Sequence, residues 1–191
     1  MDPYFKKQIT YQHRDQQFIF DVGHTLFSSF DVDEGTDVFL RFLQAEAPRT
    51  ILDLGCGYGP IGIILARLHP QAHIVMTDKD LLAVRYARHN AAQNNQTNTT
   101  IVGSVGLESV PDLPYDLIVS NIPAKIGDVA IEQEFLLQPY ERLQPGGNYW
   151  FVVVSGLNHL IPRLGQRHQL KLKEVKKRAG HSVYHLHKPA L

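Results

Sequence analysis

Residues 51–62, I-L-D-L-G-C-G-Y-G-P-I-G, decide how the rest of the chain is read. An apolar run over 50–54 has the length of a buried strand. It breaks into Gly55, Gly57, Gly59 and Gly62 before an apolar segment of helical length over 60–68. Turn residues without Cβ atoms permit positive φ and let a ligand approach the backbone. Pro60 suits the first helical turn, where a missing N–H costs nothing. The stretch predicts a strand, a tight turn and a helix, a local geometry shared by dinucleotide and nucleotide binders.

Two carboxylates narrow the ligand. Asp53 lies inside the apolar run, where burial is costly unless donors meet it, so it is expected to bond the turn or a ligand ammonium group. Asp78 closes the next apolar run, 73–77, at the spacing of roughly twenty residues at which a carboxylate meets ribose hydroxyls. The expected ligand contains a nucleoside.

Outward from this turn, strand and helix alternate. Strands are expected over 50–54, 73–77, 99–103, 115–120 and 148–154, and helices over 60–68, 80–93 and 129–143. A helix near 158–166, broken at Pro162 and Gly165, precedes an antiparallel hairpin of 170–176 and 182–187. Such alternation predicts a parallel sheet covered on both faces, with ligands at the carboxyl ends of the strands where the order reverses. The Gly55 to Gly59 turn, Asp78, Ser104 and Asn121 all fall on that rim. Upstream, 4–22 reads as a hairpin laid over the core, and 23–30 as a loop. Asp33 then caps a helix with Val38, Phe39, Phe42 and Leu43 on its apolar face.

Three segments together, D-L-G-C-G-Y-G-P-I-G, D-K-D with A-V-R-Y-A-R-H-N, and Y-D-L-I-V-S-N-I-P-A, resemble the class I S-adenosylmethionine-dependent methyltransferases. The nearest group is the methyltransferase small domain, which includes guanine-N2 methyltransferases of small-subunit ribosomal RNA. The resemblance covers roughly residues 20–160 and implies an α/β, Rossmann-like fold. Its mostly parallel seven-stranded sheet would have helices on both faces and an antiparallel C-terminal hairpin. It implies one methyltransferase domain over 1–191, with 1–48 covering a catalytic core at 49–191. It further implies S-adenosyl-L-methionine bound by Asp53, Gly55, Cys56, Gly57, Tyr58, Gly59, Asp78, Lys79, Ser104, Val105 and Asn121. A G-x-F-S segment borders the pocket in that family, which makes Phe27 and Ser28 candidates for lining it.

The family's catalytic tetrad is Asn, Pro, Pro, aromatic; here it reads Asn121-Ile122-Pro123-Ala124. An amine conjugated to a base ring is a poor nucleophile because its lone pair is delocalised. Two acceptors for its protons, the Asn121 carbonyl and the next main-chain carbonyl, would hold the lone pair toward a sulfonium methyl. Geometry rather than base strength then supplies most of the catalysis. Ile122 need not remove the main-chain acceptor, but Ala124 lacks the ring that stacks on the target base. Either another aromatic such as Phe27 stacks, or the substrate is held differently. Lys125 is a candidate phosphate contact.

The 191 residues suit one domain with a real core. One cysteine, Cys56, permits no intrachain disulfide, and no long apolar run or leader pattern appears. A soluble cytoplasmic protein, monomer or homodimer, is expected. Cys56 is read more simply as a small residue filling a tight loop than as a nucleophile. Apart from His185 and His187 on one strand face of the hairpin, no histidine pair has a Cys or carboxylate partner at ligand spacing, so no metal is expected. Net charge is zero, yet residues 1–150 hold 11 Lys+Arg against 18 Asp+Glu, and 151–191 hold 8 against 1. That basic tail is a candidate RNA surface, with Lys171, Lys173 and Lys177 expected on one outward face. The leading expectation is a methyltransferase acting on the N2 amine of guanine in ribosomal RNA, with RNA or the small ribosomal subunit as partner. The alternatives are a methyltransferase for a protein amide or small molecule, and a cofactor-binding module with lost activity.

Overall fold

A computed structural model describes residues 2–26 and 31–190. Phe27 and Ser28, proposed above to line the pocket, lie outside the described residues. The chain enters through a hairpin of β1 (Phe5–His13) and β2 (Gln16–Gly23), which forms a separate two-stranded sheet. Helix α1 (Glu34–Phe42) follows, its first turn capped by the Asp33 carboxylate accepting from Thr36 N–H. The regular alternation then begins: β3 (Thr50–Leu54), α2 (Pro60–Leu68), β4 (His73–Asp78), α3 (Leu81–Gln93), β5 (Thr99–Gly103) and β6 (Tyr115–Asn121). Helix α4 (Asp128–Glu132), a π-helical turn (Gln133–Leu137) and α5 (Gln138–Arg142) lead to β7 (Leu143–Val154). Helix α6 (Leu160–Arg167), β8 (Leu172–Arg178) and β9 (His181–His187) close the chain.

The main sheet has the order β5-β4-β3-β6-β7-β9-β8, with β3 to β7 parallel and β9 antiparallel to both its neighbours. Strand alternation divides the core between two faces. Ile51, Met76, Val119 and Val152 pack under α1, α2, α3 and the hairpin, whereas Leu52, Ile118, Phe151 and Leu186 pack under the π-helical region and α6. The chain runs outward from β3 to β5 and then crosses back to β6, so the switch point lies between β3 and β6.

Helix α3 fastens the hairpin with two buried asparagines that act as a strand edge. Asn90 Oδ1 accepts from Asp21 N–H at 2.8 Å and Asn94 Oδ1 from Ile19 N–H at 3.1 Å, while their amides donate to the Asp21 and Ile19 carbonyls. Asn90 also donates to the Tyr58 carbonyl at 2.9 Å, which joins the hairpin, the helix and the glycine turn.

Besides shifted strand ends, with β7 beginning at Leu143 rather than 148 and β8 running over Leu172–Arg178 rather than 170–176, three details differ from the sequence reading. The single helix expected over 129–143 is split because Pro139 has no N–H for the carbonyl of Phe135. That carbonyl accepts instead from the buried Tyr149 hydroxyl at 2.7 Å, and the backbone widens into a π turn just before the proline. Pro162 does not interrupt α6, because it occupies the first turn, where N–H groups have no helical partner. In β8 the register slips between Glu174 and Lys176. Lys173 pairs with His185 but Lys177 pairs with Ser182, so the two lysines face opposite sides of the sheet rather than one.

Candidate active site

The glycine turn is held from below. Gly55 and Cys56 both donate to the Thr77 carbonyl at 2.9 Å, and Ser120 Oγ donates to the Leu54 carbonyl at 2.7 Å. Gly57 has φ of +57°, and among the described residues a Cβ there would meet nothing within 4 Å, so backbone lies open to a ligand at the apex. Asp78 sits beside it at the end of β4. One carboxylate oxygen accepts from Gly57 N–H and the other from Asp80 N–H, both at 2.9 Å. These bonds aim the group, and each oxygen keeps lone-pair capacity for a further donor.

Asp53 is wholly buried beneath the turn. Its Oδ2 accepts from Gly62 N–H in the first turn of α2 at 2.8 Å, so it ties β3 to the helix that follows the glycine turn. Among the described residues its Oδ1 has no hydrogen-bond partner and is buried. Desolvation, opposed by the Gly62 bond and aided by the nearby Asp78 charge, pushes its pKa up to about 7. Burial, with the charges of Asp53 and Asp78, also pushes the Cys56 thiol well up. A neutral, buried thiol fits loop filling and not nucleophilic chemistry. The ring of Tyr58 turns into the core, 3% exposed and edge-on to Phe20, so only its backbone reaches the turn.

Beyond Asp78 the rim becomes apolar. Leu81, 73% exposed, lies over Gly103, and Val105 is 53% exposed two residues further on. Such a pair suits the faces of a planar base, and Leu81 went unnoticed in the sequence because a helix-start leucine carries no local signal. Lys79 is exposed beside them. The Ser104 side chain serves its own loop, accepting from Ser109 N–H at 2.9 Å, while its backbone N–H donates to the Asp78 carbonyl.

Across the switch point, Asn121 ends β6. Its side-chain amide donates to Asp33 Oδ2 at 2.8 Å and to Thr36 Oγ1 at 3.1 Å. The reverse orientation would set two acceptors against each other, so Asn121 Oδ1 is left as the acceptor. Ile122 is 1% exposed and anchors the loop by donating to the Val152 carbonyl, whereas Pro123, Ala124 and Lys125 are exposed. Asp33 reads in the sequence only as a helix cap; 88 residues separate it from Asn121, and no local pattern links them.

The basic tail is partly compensated. Arg163 pairs with Asp128 and Arg167 with Glu132, while Lys188 donates to the carbonyls of Tyr140, Glu141 and Leu143 at the end of α5. Lys171, Lys173, Lys177 and Arg178 are exposed, and Lys176 lies over the Phe42 ring. His181 pairs with Val154 on one side and Arg178 on the other, so the hairpin end reaches the carboxyl rim. Among the described residues no three His, Cys, Asp or Glu side chains are grouped to hold a metal, and no helix is long and apolar enough to cross a membrane.

An open, mostly parallel sheet with a glycine turn and an acidic strand end at its switch point defines a Rossmann-like, nucleoside-binding class of domain. Within that class the chain belongs to the methyltransferase small domain family, whose profile matches residues 17–185. It is 35% identical over 140 residues to ribosomal RNA small subunit methyltransferase C of Hahella chejuensis, covering 72% of this chain and 39% of that protein. It is 32% identical over 150 residues to the uncharacterised protein YbxB of Bacillus subtilis, covering 78% of this chain and 74% of YbxB. In structure it is similar to the T. thermophilus 16S rRNA N2 G1207 methyltransferase (RsmC), solved in complex with AdoMet and guanosine. There the TM-score is 0.82 at 26% identity, over 95% of this chain and 50% of that one. The chain thus spans about two fifths to one half of the RsmC proteins it matches.

Proposed function

We propose that residues 1–191 act as one methyltransferase domain, 1–48 covering a core at 49–191, that methylates the exocyclic N2 amine of a guanine in ribosomal RNA. The observation that carries this reading is Asn121, whose amide is occupied by Asp33 and Thr36 so that its carbonyl remains to accept from an amine on the rim. The names of the RsmC relatives, and the AdoMet and guanosine in the T. thermophilus structure, support it.

The residues present fit S-adenosylmethionine. The open backbone at Gly57 gives room for close approach, Asp78 suits the ribose hydroxyls, and Leu81 with Val105 suits the base. Lys79 and Ser104 border the same end, with Gly55, Cys56, Tyr58 and Gly59 contributing backbone. When bound, this cofactor supplies an electrophilic sulfonium methyl. Asn121 Oδ1 and the Ile122 carbonyl accept the amine protons, with Pro123 stiffening the loop, and hold the nitrogen lone pair toward the methyl. Transfer of that methyl to the amine would leave the sulfur as a neutral thioether, and the surplus amine proton would pass to water. Asp53, wholly buried, would act from beneath the turn by holding β3 to the start of α2.

RNA would run from the amine site toward the hairpin end. Lys125 beside the tetrad, and Lys177 and Arg178 at the tip, are the phosphate contacts nearest that site; Lys173 and Lys171 lie further down β8. The test incubates the purified chain with S-adenosylmethionine and small-subunit ribosomal RNA, then hydrolyses the RNA for mass-spectrometric nucleoside analysis. N2-methylguanosine is expected, and its loss in Asn121→Ala with cofactor affinity retained. Methyl on another nucleoside, on protein alone or nowhere refutes the reading.

A further inference from the structure

Among the described residues Asp33 is the one carboxylate hydrogen-bonded to the Asn121 side chain, and the contact is specific in direction. Oδ2 of Asp33 accepts from Asn121 Nδ2 at 2.8 Å and from Thr36 N–H at 3.2 Å, so one oxygen serves the α1 cap and the asparagine together. Thr36 is 3% exposed, and its hydroxyl takes the second Asn121 proton. The ring of His181 closes the other side. A Cβ on Gly35 would lie 2.7 Å from His181 Cδ2 and 2.8 Å from Asp33 Oδ2, so that helix turn has no room for a side chain between them.

We propose that Asp33 is a positioning residue for methyl transfer: it fixes the orientation of the Asn121 amide and, by accepting its proton as a carboxylate, strengthens the Asn121 carbonyl as an acceptor. The physical basis is that an amide donating to an anion carries more negative charge on its oxygen, so successive hydrogen bonds reinforce one another. The nitrogen that attacks the methyl gains positive charge as the bond forms, so a stronger acceptor favours the transition state over the ground state. This role rests on the proposed use of Asn121 as the amine acceptor.

The decisive variant is Asp33→Ser. Serine caps a helix as well as aspartate does, but its hydroxyl is too short to serve Thr36 N–H and also reach Asn121. The melting temperature and S-adenosylmethionine affinity should therefore stay near wild type, while kcat on guanine-containing RNA falls by about ten- to hundred-fold, the scale for residues that orient a reacting group. Asp33→Asn, which keeps an acceptor without the charge, should recover part of the loss. In an Asn121→Ala background, Asp33→Ser should lower kcat less than about twofold. Equal turnover in wild type and Asp33→Ser, or the same fold loss with and without Asn121, overturns the proposal. The side-chain amide resonances of Asn121, assigned from the Asn121→Ala spectrum, provide a readout independent of substrate. They should lie downfield in wild type and move upfield in Asp33→Ser and, to a smaller extent, in Asp33→Asn. Should the wild-type chain methylate no RNA, the RNA reading falls, and these resonances alone decide whether Asp33 holds Asn121.

Discussion

Replacing Asp53 by asparagine should change how stability depends on pH, by an amount that the burial of this side chain sets. The carboxyl is wholly buried, one oxygen bonded to Gly62 N–H and the other without a partner among the described residues, and its pKa rises from an ordinary 3.8 to about 7. A carboxyl raised in the folded state keeps its proton longer there than in the unfolded chain. Its contribution is therefore fully present at low pH and is lost as pH rises through the folded value. Between pH 5 and pH 8 the wild-type chain should lose about 2.6 kcal/mol through this group, at roughly 1.4 kcal/mol per unit of pKa difference. Asparagine keeps an acceptor for Gly62 N–H and does not titrate. Its own buried amide adds a constant offset of about 1–3 kcal/mol, which cancels when the two proteins are compared across pH. Urea unfolding of both chains without cofactor, from pH 5 to 8, gives the difference directly. The Asp53→Asn protein should gain on wild type as pH rises, and thermal midpoints should converge or cross by about 5–10 °C over the range. Parallel stability curves would mean that Asp53 is ionised in the folded protein at pH 5, and the argument from desolvation would fail.

Asp78→Ala should weaken S-adenosylmethionine binding about ten-fold or more through lost charge-assisted bonds, and unchanged affinity by calorimetry would remove Asp78 from the site. Lys177→Ala/Arg178→Ala should flatten the slope of log RNA affinity against log salt by about 1.4–1.8. Lys173→Ala, lower on β8 and on the opposite face from Lys177, should change it less; the reverse order would shift the RNA path away from the rim. Asn90→Ala should cost about 2–4 kcal/mol, because the buried Asp21 N–H and the Tyr58 carbonyl both lose their partner. A near-wild-type denaturation midpoint would show that water replaces the asparagine at no cost.

The elements legible in the sequence were those whose causes are local. The run I-L-D-L followed by alternate glycines can satisfy its own geometry only as a strand and an open turn, and the observed β3 and α2 bounds agree with it. Asp33 announces a helix start because capping acts over three residues. What stayed hidden depends on partners far along the chain. The π turn before Pro139 exists because Tyr149 takes up the freed carbonyl, and that tyrosine is on another element. The slip at Val175 leaves no mark in the alternation of leucines and lysines, yet it reverses the side on which Lys177 stands. The candidate site divides the same way. Asp78 and Asn121 could be placed on the rim by spacing, whereas the hold of Asp33 on Asn121 and the apolar pair of Leu81 and Val105 arise only from packing.

The asparagine clasp between α3 and the N-terminal hairpin also sets the order in which the chain can mature during synthesis. Asp21 and Asn90 are 69 residues apart, so at about 5–20 residues per second the hairpin leaves the ribosome some 3–14 seconds before the helix that clasps it does. A lone two-stranded hairpin is at best marginally stable in water, and Phe18, Phe20 and Val22, wholly buried in the finished fold, have no cover during that interval. The nascent chain thus presents a short aromatic strand before it presents the helix that clasps it. Stalling synthesis once the hairpin, but not α3, has emerged should give ribosome complexes that recruit hydrophobic-binding chaperones, and stalling after α3 has emerged should release them.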